Sequence, residues 1–130
     1  MAYLKPPWFT RAVFNKIAMA LGAGGSETLT VTRRVSRQPQ QIPVIPVDVD
    51  GNRHLVSTRG ETEWVRNVRA EPNVLLGDTR MVAREVPPES RAPILAAYRQ
   101  KAGRVVKGYF EALPDDADHP VFLLTPVSKA

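Results

Sequence analysis

A dense group of basic residues provides the first side chains that could bind a ligand. Residues 33–37 read Arg-Arg-Val-Ser-Arg, and Gln38, Gln40 and Gln41 follow directly. Guanidinium groups form strong bidentate bonds to phosphates and carboxylates, and a hydroxyl and exposed turn amides add further donors. The group therefore predicts an anion-binding loop, with a solvated basic turn as the alternative.

A second candidate segment, residues 57–64, reads Ser-Thr-Arg-Gly-Glu-Thr-Glu-Trp and runs from the end of a predicted strand into the start of a helix. Backbone amides at a helix N-terminus bind anions, and Gly60 allows a ligand to approach the backbone closely. The alternative is that Thr62 and Glu63 only cap the helix and supply charge for its first turn. Arg59 favours binding, because two basic loops at strand ends of one small barrel are expected to meet at one opening.

Composition excludes several other kinds of site. The chain contains no cysteine and only two histidines, His54 and His119. Disulfides, thiolate chemistry and a histidine-rich metal site are therefore not expected, and we predict no bound metal. No nucleophile-elbow motif accompanies either histidine, which argues against a Ser-His-Asp triad. The formal charge of +5 favours an anionic partner, whether nucleic acid, anionic lipid or a phosphorylated small molecule.

Residues 1–25 are expected to form an N-terminal helix and a hinge. Apolar side chains recur at spacings of four over residues 8–21, which predicts an amphipathic helix, and the glycine-rich residues 22–25 predict a flexible hinge. No apolar run approaches the roughly 20 residues that span a bilayer, and no signal peptide is recognisable. We expect a cytoplasmic protein whose basic N-terminal helix could contact the inner face of the membrane.

The rest of the chain is predicted to form short strands interrupted by helices. Strands are predicted at residues 28–32, 41–49, 53–58, 74–76, 80–86 and 121–125, and helices at 61–71, 92–101 and 105–113. The prolines at 43 and 46 make the second strand an edge or bent strand, and Asp50-Gly51-Asn52 is a hairpin signal. About six strands, joined mostly by hairpins, favour one mainly β, α+β antiparallel barrel domain over residues 1–130.

Three ordered segments resemble a known family. The first runs from Leu29-Thr30-Val31-Thr32 through residues 33–37 to Pro43-Val44. The second is Val56-Ser57-Thr58-Arg59-Gly60 followed by residues 64–70, and the third is residues 119–126, His-Pro-Val-Phe-Leu-Leu-Thr-Pro. Together with residues 3–9, they resemble the deazaflavin-dependent nitroreductase/quinone reductase family of actinobacteria over nearly the whole chain.

The resemblance implies a split β-barrel that binds coenzyme F-420, an 8-hydroxy-5-deazaflavin, with its phosphate and oligoglutamate tail on the basic loops. The reduced ring would pass a hydride to a quinone, an enone or a nitro compound. Tyr109 lies near the position of a substrate-facing tyrosine in related members, and the alternative is that its ring only packs against the helix surroundings. By matched position, the cofactor-binding residues would be Arg34, Val35, Ser36, Arg37, Gln40, Pro43, Val44, Ile45, Ser57, Thr58, Arg59, Gly60, Trp64 and Asn67.

The first segment departs from the family pattern at several positions. Arg33 and Arg37 stand where the family has glycines, Val35 replaces a second basic residue, and Gln40 replaces an arginine. Losing glycine removes close backbone approach and an easily adopted positive φ, while the added arginines supply charge in a different geometry.

These departures leave a second hypothesis, a member of the same fold that has lost the cofactor or binds lipid or fatty acid. Nucleic-acid binding is not expected, because the sequence carries no helix-turn-helix or zinc-finger motif and no aromatic residues among the basic turns. FMN is the weaker cofactor alternative, and a homodimer is expected by analogy with other split barrels.

Overall fold

The computed structural model describes residues 26–127. The predicted N-terminal helix and hinge lie outside these residues. The elements are, in chain order, β1 (Glu27–Thr32), β2 (Pro39–Val44), β3 (Val47–Val49), β4 (Asn52–Val56), α1 (Glu63–Ala70), β5 (Asn73–Leu76), β6 (Thr79–Glu85), α2 (Ala92–Ala102), α3 (Arg104–Ala112) and β7 (Val121–Pro126). Short 3₁₀ turns cover Pro88–Ser90 and Asp116–Asp118.

The seven described strands form one curled antiparallel sheet in the order β2-β1-β5-β6-β7-β4-β3. Strands β2 and β3 lie at opposite ends of this order, yet only Ile45 and Pro46 separate them in the sequence. Three Cα–Cα steps span at most about 11 Å, so the two ends of the sheet must approach each other. The sheet is therefore bent into a split barrel.

Two apolar cores fix this shape. The first fills the barrel with alternate residues of β1, such as the fully buried Leu29 and Val31, and is covered by the apolar face of α1. Trp64 of α1 packs on Phe122 of β7 with ring centroids 5.7 Å apart. The second core lies between the strands around β4 and β7 and helices α2 and α3, where Leu95 is buried. Helices α1, α2 and α3 are thus held against the barrel by burial of apolar surface.

The prediction of a mainly β, α+β split barrel with flanking helices is confirmed, and most element boundaries agree to within two residues. The strand count differs because the predicted strand over residues 41–49 is two strands, β2 and β3, so seven strands stand where about six were predicted. Pro46 has no backbone N–H to donate, which suits a break between strands. The hairpin at Asp50-Gly51 has positive φ at both residues, 53° and 80°, as a type I′ turn requires.

Candidate functional site

A mainly apolar pocket opens between strand ends of the barrel and the helical layer. It is formed by the end of β2 with the break after it, the end of β4 with the following loop, the start of α1, and the facing sides of α2 and α3. It is a narrow slot that encloses about 660 Å³ of empty space when its open mouth is counted. Its lining residues are Ile42, Pro43, Val44, Ile45, Val56, Ser57, Thr58, Arg59, Thr62, Trp64, Tyr98, Val105, Val106 and Tyr109.

A polar groove lies on the other side of the start of α1. It is lined by Arg33, Arg34, Val35, Ser36, Gln40, Glu63 and Asn67. Arg34 Nη1 donates to Glu63 Oε2 and to Asn67 Oδ1, at 2.8 Å each, and Asn67 Nδ2 donates to Gln40 Oε1 at 2.9 Å. The groove therefore presents a guanidinium group and two amides that already bind one another.

The pocket and the groove are separated by one turn of helix. Glu63 lines the groove, whereas Thr62 and Trp64 on either side of it line the pocket. Arg34 binds Glu63 from the groove, and Arg59 lines the pocket just before this turn. The two basic loops thus flank the same helix start, in neighbouring depressions.

The polar groups at the back of the pocket are held by backbone atoms. Ser57 Oγ donates to the Gly60 carbonyl at 2.6 Å. The fully buried His119 ring lies between two carbonyl oxygens, with Nδ1 3.1 Å from Ser57 O and Nε2 2.6 Å from Leu113 O, and stacks on Phe110 at 4.3 Å. His119 therefore ties the loop after β4, which lines the pocket, to the end of α3, whose earlier residues line the pocket as well.

Two tyrosines from consecutive helices reach the pocket. Tyr98 of α2 is 5% exposed, and burial, with a smaller contribution from the nearby Tyr109, raises the pKa of its hydroxyl well above the ordinary value. Tyr98 therefore stays protonated across the physiological pH range, and its hydroxyl can donate a hydrogen bond. Tyr109 of α3 is half-buried and lines the same pocket.

The family of the chain follows from its sequence, since the model of the F420H(2)-dependent quinone reductase family matches residues 7–126. The chain belongs to this family. That result confirms the resemblance on which the cofactor prediction rested. No curated protein matches the chain.

Solved structures agree with the split-barrel fold of this quinone reductase family member. The heme storage protein HutZ from Vibrio cholerae superposes with a TM-score of 0.60 at 15% identity, covering 88% of this chain and 90% of that one. A conserved hypothetical protein from Mycobacterium tuberculosis gives 0.59 at 14% identity, covering 98% and 84%. An F420-H2 dependent reductase, FDR-A, gives 0.47 at 24% identity, covering 78% and 95%. At these identities the first two likenesses show the fold alone.

The predicted binding residues of this quinone reductase family member divide between the two depressions. Pro43, Val44, Ile45, Ser57, Thr58, Arg59 and Trp64 line the pocket with the predicted catalytic Tyr109, while Arg34, Val35, Ser36, Gln40 and Asn67 line the groove. Among the described residues, Arg37 and Gly60 line neither depression. Arg37 lies in a separate depression and contacts Glu71 at 3.7 Å, and Gly60 contributes the carbonyl that Ser57 binds.

Several pocket residues were missed as site residues by the sequence prediction, namely Thr62, Tyr98, Val105 and Val106. Tyr98 was predicted to face inward from its helix, and that periodicity could not distinguish a core position from a pocket wall. Thr62 was interpreted as a helix cap. The signal that could have found it is its place between Arg59 and Trp64, both of which were predicted to bind.

The described residues fit the coenzyme that the family uses. The slot is lined by apolar and aromatic side chains, which suits a flat conjugated ring, and a guanidinium-containing groove lies one helical turn away, which suits a phosphate. Within residues 26–127 there is no group of three or more residues suited to hold a metal ion. No helix among the same residues is long and apolar enough to cross a membrane.

Proposed function

We propose that this protein binds reduced coenzyme F-420 and transfers a hydride from it to a quinone, an enone or a nitro compound. The observation that carries the proposal is the juxtaposition of a narrow apolar slot with a basic groove across a single turn of α1. A deazaflavin coenzyme has the matching parts, a flat ring and a phosphate-bearing tail. FMN shares that general shape and is the weaker candidate.

The slot is proposed to hold the ring. Val44, Ile45 and Trp64 supply apolar contact area, and Arg59 supplies positive charge at the same pocket. When bound, the coenzyme supplies the hydride. The protein supplies position, a water-poor environment and electrostatics.

The groove is proposed to hold the phosphate of the tail. Arg34 is the principal donor, with Ser36, Gln40 and Asn67 beside it. Arg34 is bound to Glu63 in the structure, so an incoming phosphate has to exchange with that carboxylate. This exposed ion pair is worth about 0–1 kcal/mol, and charge-assisted bonds to a phosphate can replace it.

Tyr109 is proposed as the group that interacts with the acceptor and delivers the proton. Ser57, another hydroxyl at the pocket, is buried and already donates its proton to the Gly60 carbonyl at 2.6 Å, so this proton is not available to the acceptor. Tyr109 is half-buried at the pocket and retains access to solvent, from which a proton can be replaced. General acid catalysis needs a donor within hydrogen-bond reach of the reacting oxygen.

A fluorescence titration with oxidised coenzyme F-420 tests the proposal. We expect wild type to bind, and Arg34→Ala and Arg59→Ala each to weaken binding by roughly tenfold or more, in line with the loss of a charge-assisted hydrogen bond. Arg84→Ala is the matched control, because Arg84 is an exposed arginine on β6 that lines neither depression. Unchanged affinity in both test variants would refute the placement of the coenzyme.

A second candidate is a member of the fold that has lost the cofactor and holds a lipid or fatty acid in the slot. Two observations favour it: Arg34 is already engaged by Glu63, and Val35, at the family's second basic position, is 87% exposed. Fatty acid released from the purified protein and seen by mass spectrometry, together with no coenzyme binding, would select this candidate.

We also propose a cytoplasmic location, a homodimer and peripheral membrane contact through the helix predicted from the sequence at residues 8–21. Sedimentation of the full-length protein, with and without anionic lipid vesicles, tests the last two. A monomer that stays in the supernatant would count against both.

A further inference from the structure

The hydroxyl of Thr62 is a buried group without a partner among residues 26–127. Thr62 is 2% exposed, lines the apolar pocket, and its Oγ1 makes no hydrogen bond to any described residue. Buried polar groups in folded proteins are almost always hydrogen-bonded, and an unpaired one is destabilising. An unpaired hydroxyl in a pocket wall suggests that an atom of the bound ligand supplies its hydrogen-bond partner.

The position of Thr62 makes the missing bond more informative. Thr62 is the N-cap residue of α1, with extended backbone angles, φ −74° and ψ 170°, that are typical of this position. A threonine at an N-cap ordinarily accepts a bond from an amide of the first turn. Here no side-chain cap bond forms, so the first-turn amides of α1 gain no acceptor from Thr62. The Thr62 hydroxyl can therefore still both donate and accept a hydrogen bond.

The acidic residues beside Thr62 are bound elsewhere. Glu61 Oε2 lies 2.7 Å from Arg69 Nη1, and Glu63 Oε2 lies 2.8 Å from Arg34 Nη1. Their charges are thus compensated by guanidinium groups, and neither residue lines the pocket, whereas Arg59 does. At the helix start the pocket therefore presents a hydroxyl, a guanidinium group and partial positive charge from the helix, and the described residues that line it include no carboxylate.

We infer that Thr62, at the start of α1, binds one carbonyl or anionic oxygen at the edge of the ring held in the slot. The inference rests on the proposed function, which supplies the ring as a deazaflavin with carbonyl oxygens on its pyrimidine edge. Thr62 Oγ1 donates to that oxygen, and the start of α1 adds favourable electrostatics. Thr62 is then a positioning and affinity residue for the ring, distinct from the groove residues that hold the tail.

The test combines the stability of the free protein with ring affinity in Thr62→Val, which replaces the hydroxyl by a methyl group of similar size. We expect the melting temperature of the free variant to equal or exceed that of wild type, because no hydrogen bond is lost. We expect its affinity for oxidised coenzyme F-420, measured by fluorescence, to fall about tenfold, as the loss of one buried hydrogen bond predicts.

Two further variants serve as controls. Thr62→Ser keeps the hydroxyl and should bind within about twofold of wild type. Thr79→Val makes the same chemical change at an exposed residue that lines no part of the pocket, and should change neither melting temperature nor affinity.

The outcomes separate this inference from the proposed function. If wild type binds the coenzyme and Thr62→Val binds it equally well, the inference is wrong and the proposed function stands. A clearly lower melting temperature of the free Thr62→Val protein also overturns the inference, since the hydroxyl must then have a partner in the free protein. If wild type does not bind the coenzyme, the proposed function is wrong, and the inference that Thr62 binds the coenzyme ring is then wrong as well.

Discussion

The apolar pocket and the polar groove on either side of the first turn of α1 are built in opposite ways. The pocket walls belong to the two cores, since Trp64 packs in the first and Tyr98 and Val106 in the second. The groove is a set of polar side chains that bind one another around the buried Asn67, with the more exposed Arg34 and Glu63 as its ion pair.

This difference separates folding from ligand exchange. A pocket wall that is also core cannot move or be truncated without loss of stability, so the slot is rigid and selective for shape. The exposed ion pair of Arg34 and Glu63 contributes little to stability, so Arg34 can exchange its protein partner for a ligand. We therefore expect truncation of the apolar pocket walls to act on stability as well as on affinity, and changes at the Arg34–Glu63 ion pair of the groove to act mainly on affinity.

The largest effect is expected for Trp64→Ala. Trp64 is 8% exposed, lines the pocket and packs on Phe122. Its truncation should lower the free energy of unfolding by about 3–5 kcal/mol, as for other buried large aromatics, and weaken coenzyme binding as well. Urea denaturation measures the first effect. A loss of unfolding free energy below about 1 kcal/mol would contradict the claim that this pocket wall is also part of the core.

Glu85→Gln probes the back of α1, away from both depressions. Glu85 binds Arg69 of α1 through both oxygens, at 2.9 and 2.7 Å, and its Oε2 also accepts from Arg91, which is 4% exposed. Neutralising Glu85 leaves the buried Arg91 without a charged partner and should cost about 2 kcal/mol of unfolding free energy. Glu89→Gln is the control, because Glu89 is exposed and makes no side-chain hydrogen bond or ion pair with another described residue, and it should change stability little.

The same residue gives a pH dependence with a defined sign. The bond from Arg69 lowers the pKa of the Glu85 carboxyl below its ordinary value of 4.5. A carboxyl whose pKa is lower in the folded state stabilises the fold at pH values above the unfolded pKa, and that contribution is lost as the pH falls through the folded pKa. Wild type should therefore lose stability more steeply than Glu85→Gln below about pH 4.5. Parallel curves of melting temperature against pH would contradict this.

Glu63→Gln tests whether the groove acts on coenzyme affinity and not on stability. The substitution removes the carboxylate that competes for Arg34 and keeps a side chain of the same shape. Coenzyme affinity should rise by about threefold to tenfold at low salt, because the phosphate no longer displaces a carboxylate, and the gain should shrink at high salt. The free energy of unfolding should change by less than about 1 kcal/mol. Weaker binding would mean that Glu63 itself contacts the ligand.

The sequence predicted the elements better than it predicted the partition of the site. Hairpin signals such as Asp50-Gly51 and the alternation around Leu29 are local, so strands and helices could be placed from them. The division of the binding residues by the turn at Glu63, and the placement of Tyr98 in the pocket wall, depend on how α1 and α2 pack on the barrel. That packing is set by contacts distant in the sequence, which local patterns do not encode.

The smallest effect is expected at Arg37, where the family has glycine. Arg37 has a φ of 65°, a left-handed conformation, so the turn keeps the backbone shape that glycine adopts readily. Arg37→Gly removes the backbone strain of the left-handed conformation, about 1–2 kcal/mol, but it also raises the entropy of the unfolded chain, which opposes folding. We expect a net stabilisation of about 0.5 kcal/mol. Arg37→Ala keeps the strain and serves as the control, with equal or lower stability. Because Arg37 lines neither depression, coenzyme affinity should not change in either variant, and a clear loss in both would extend the groove to this side of the turn.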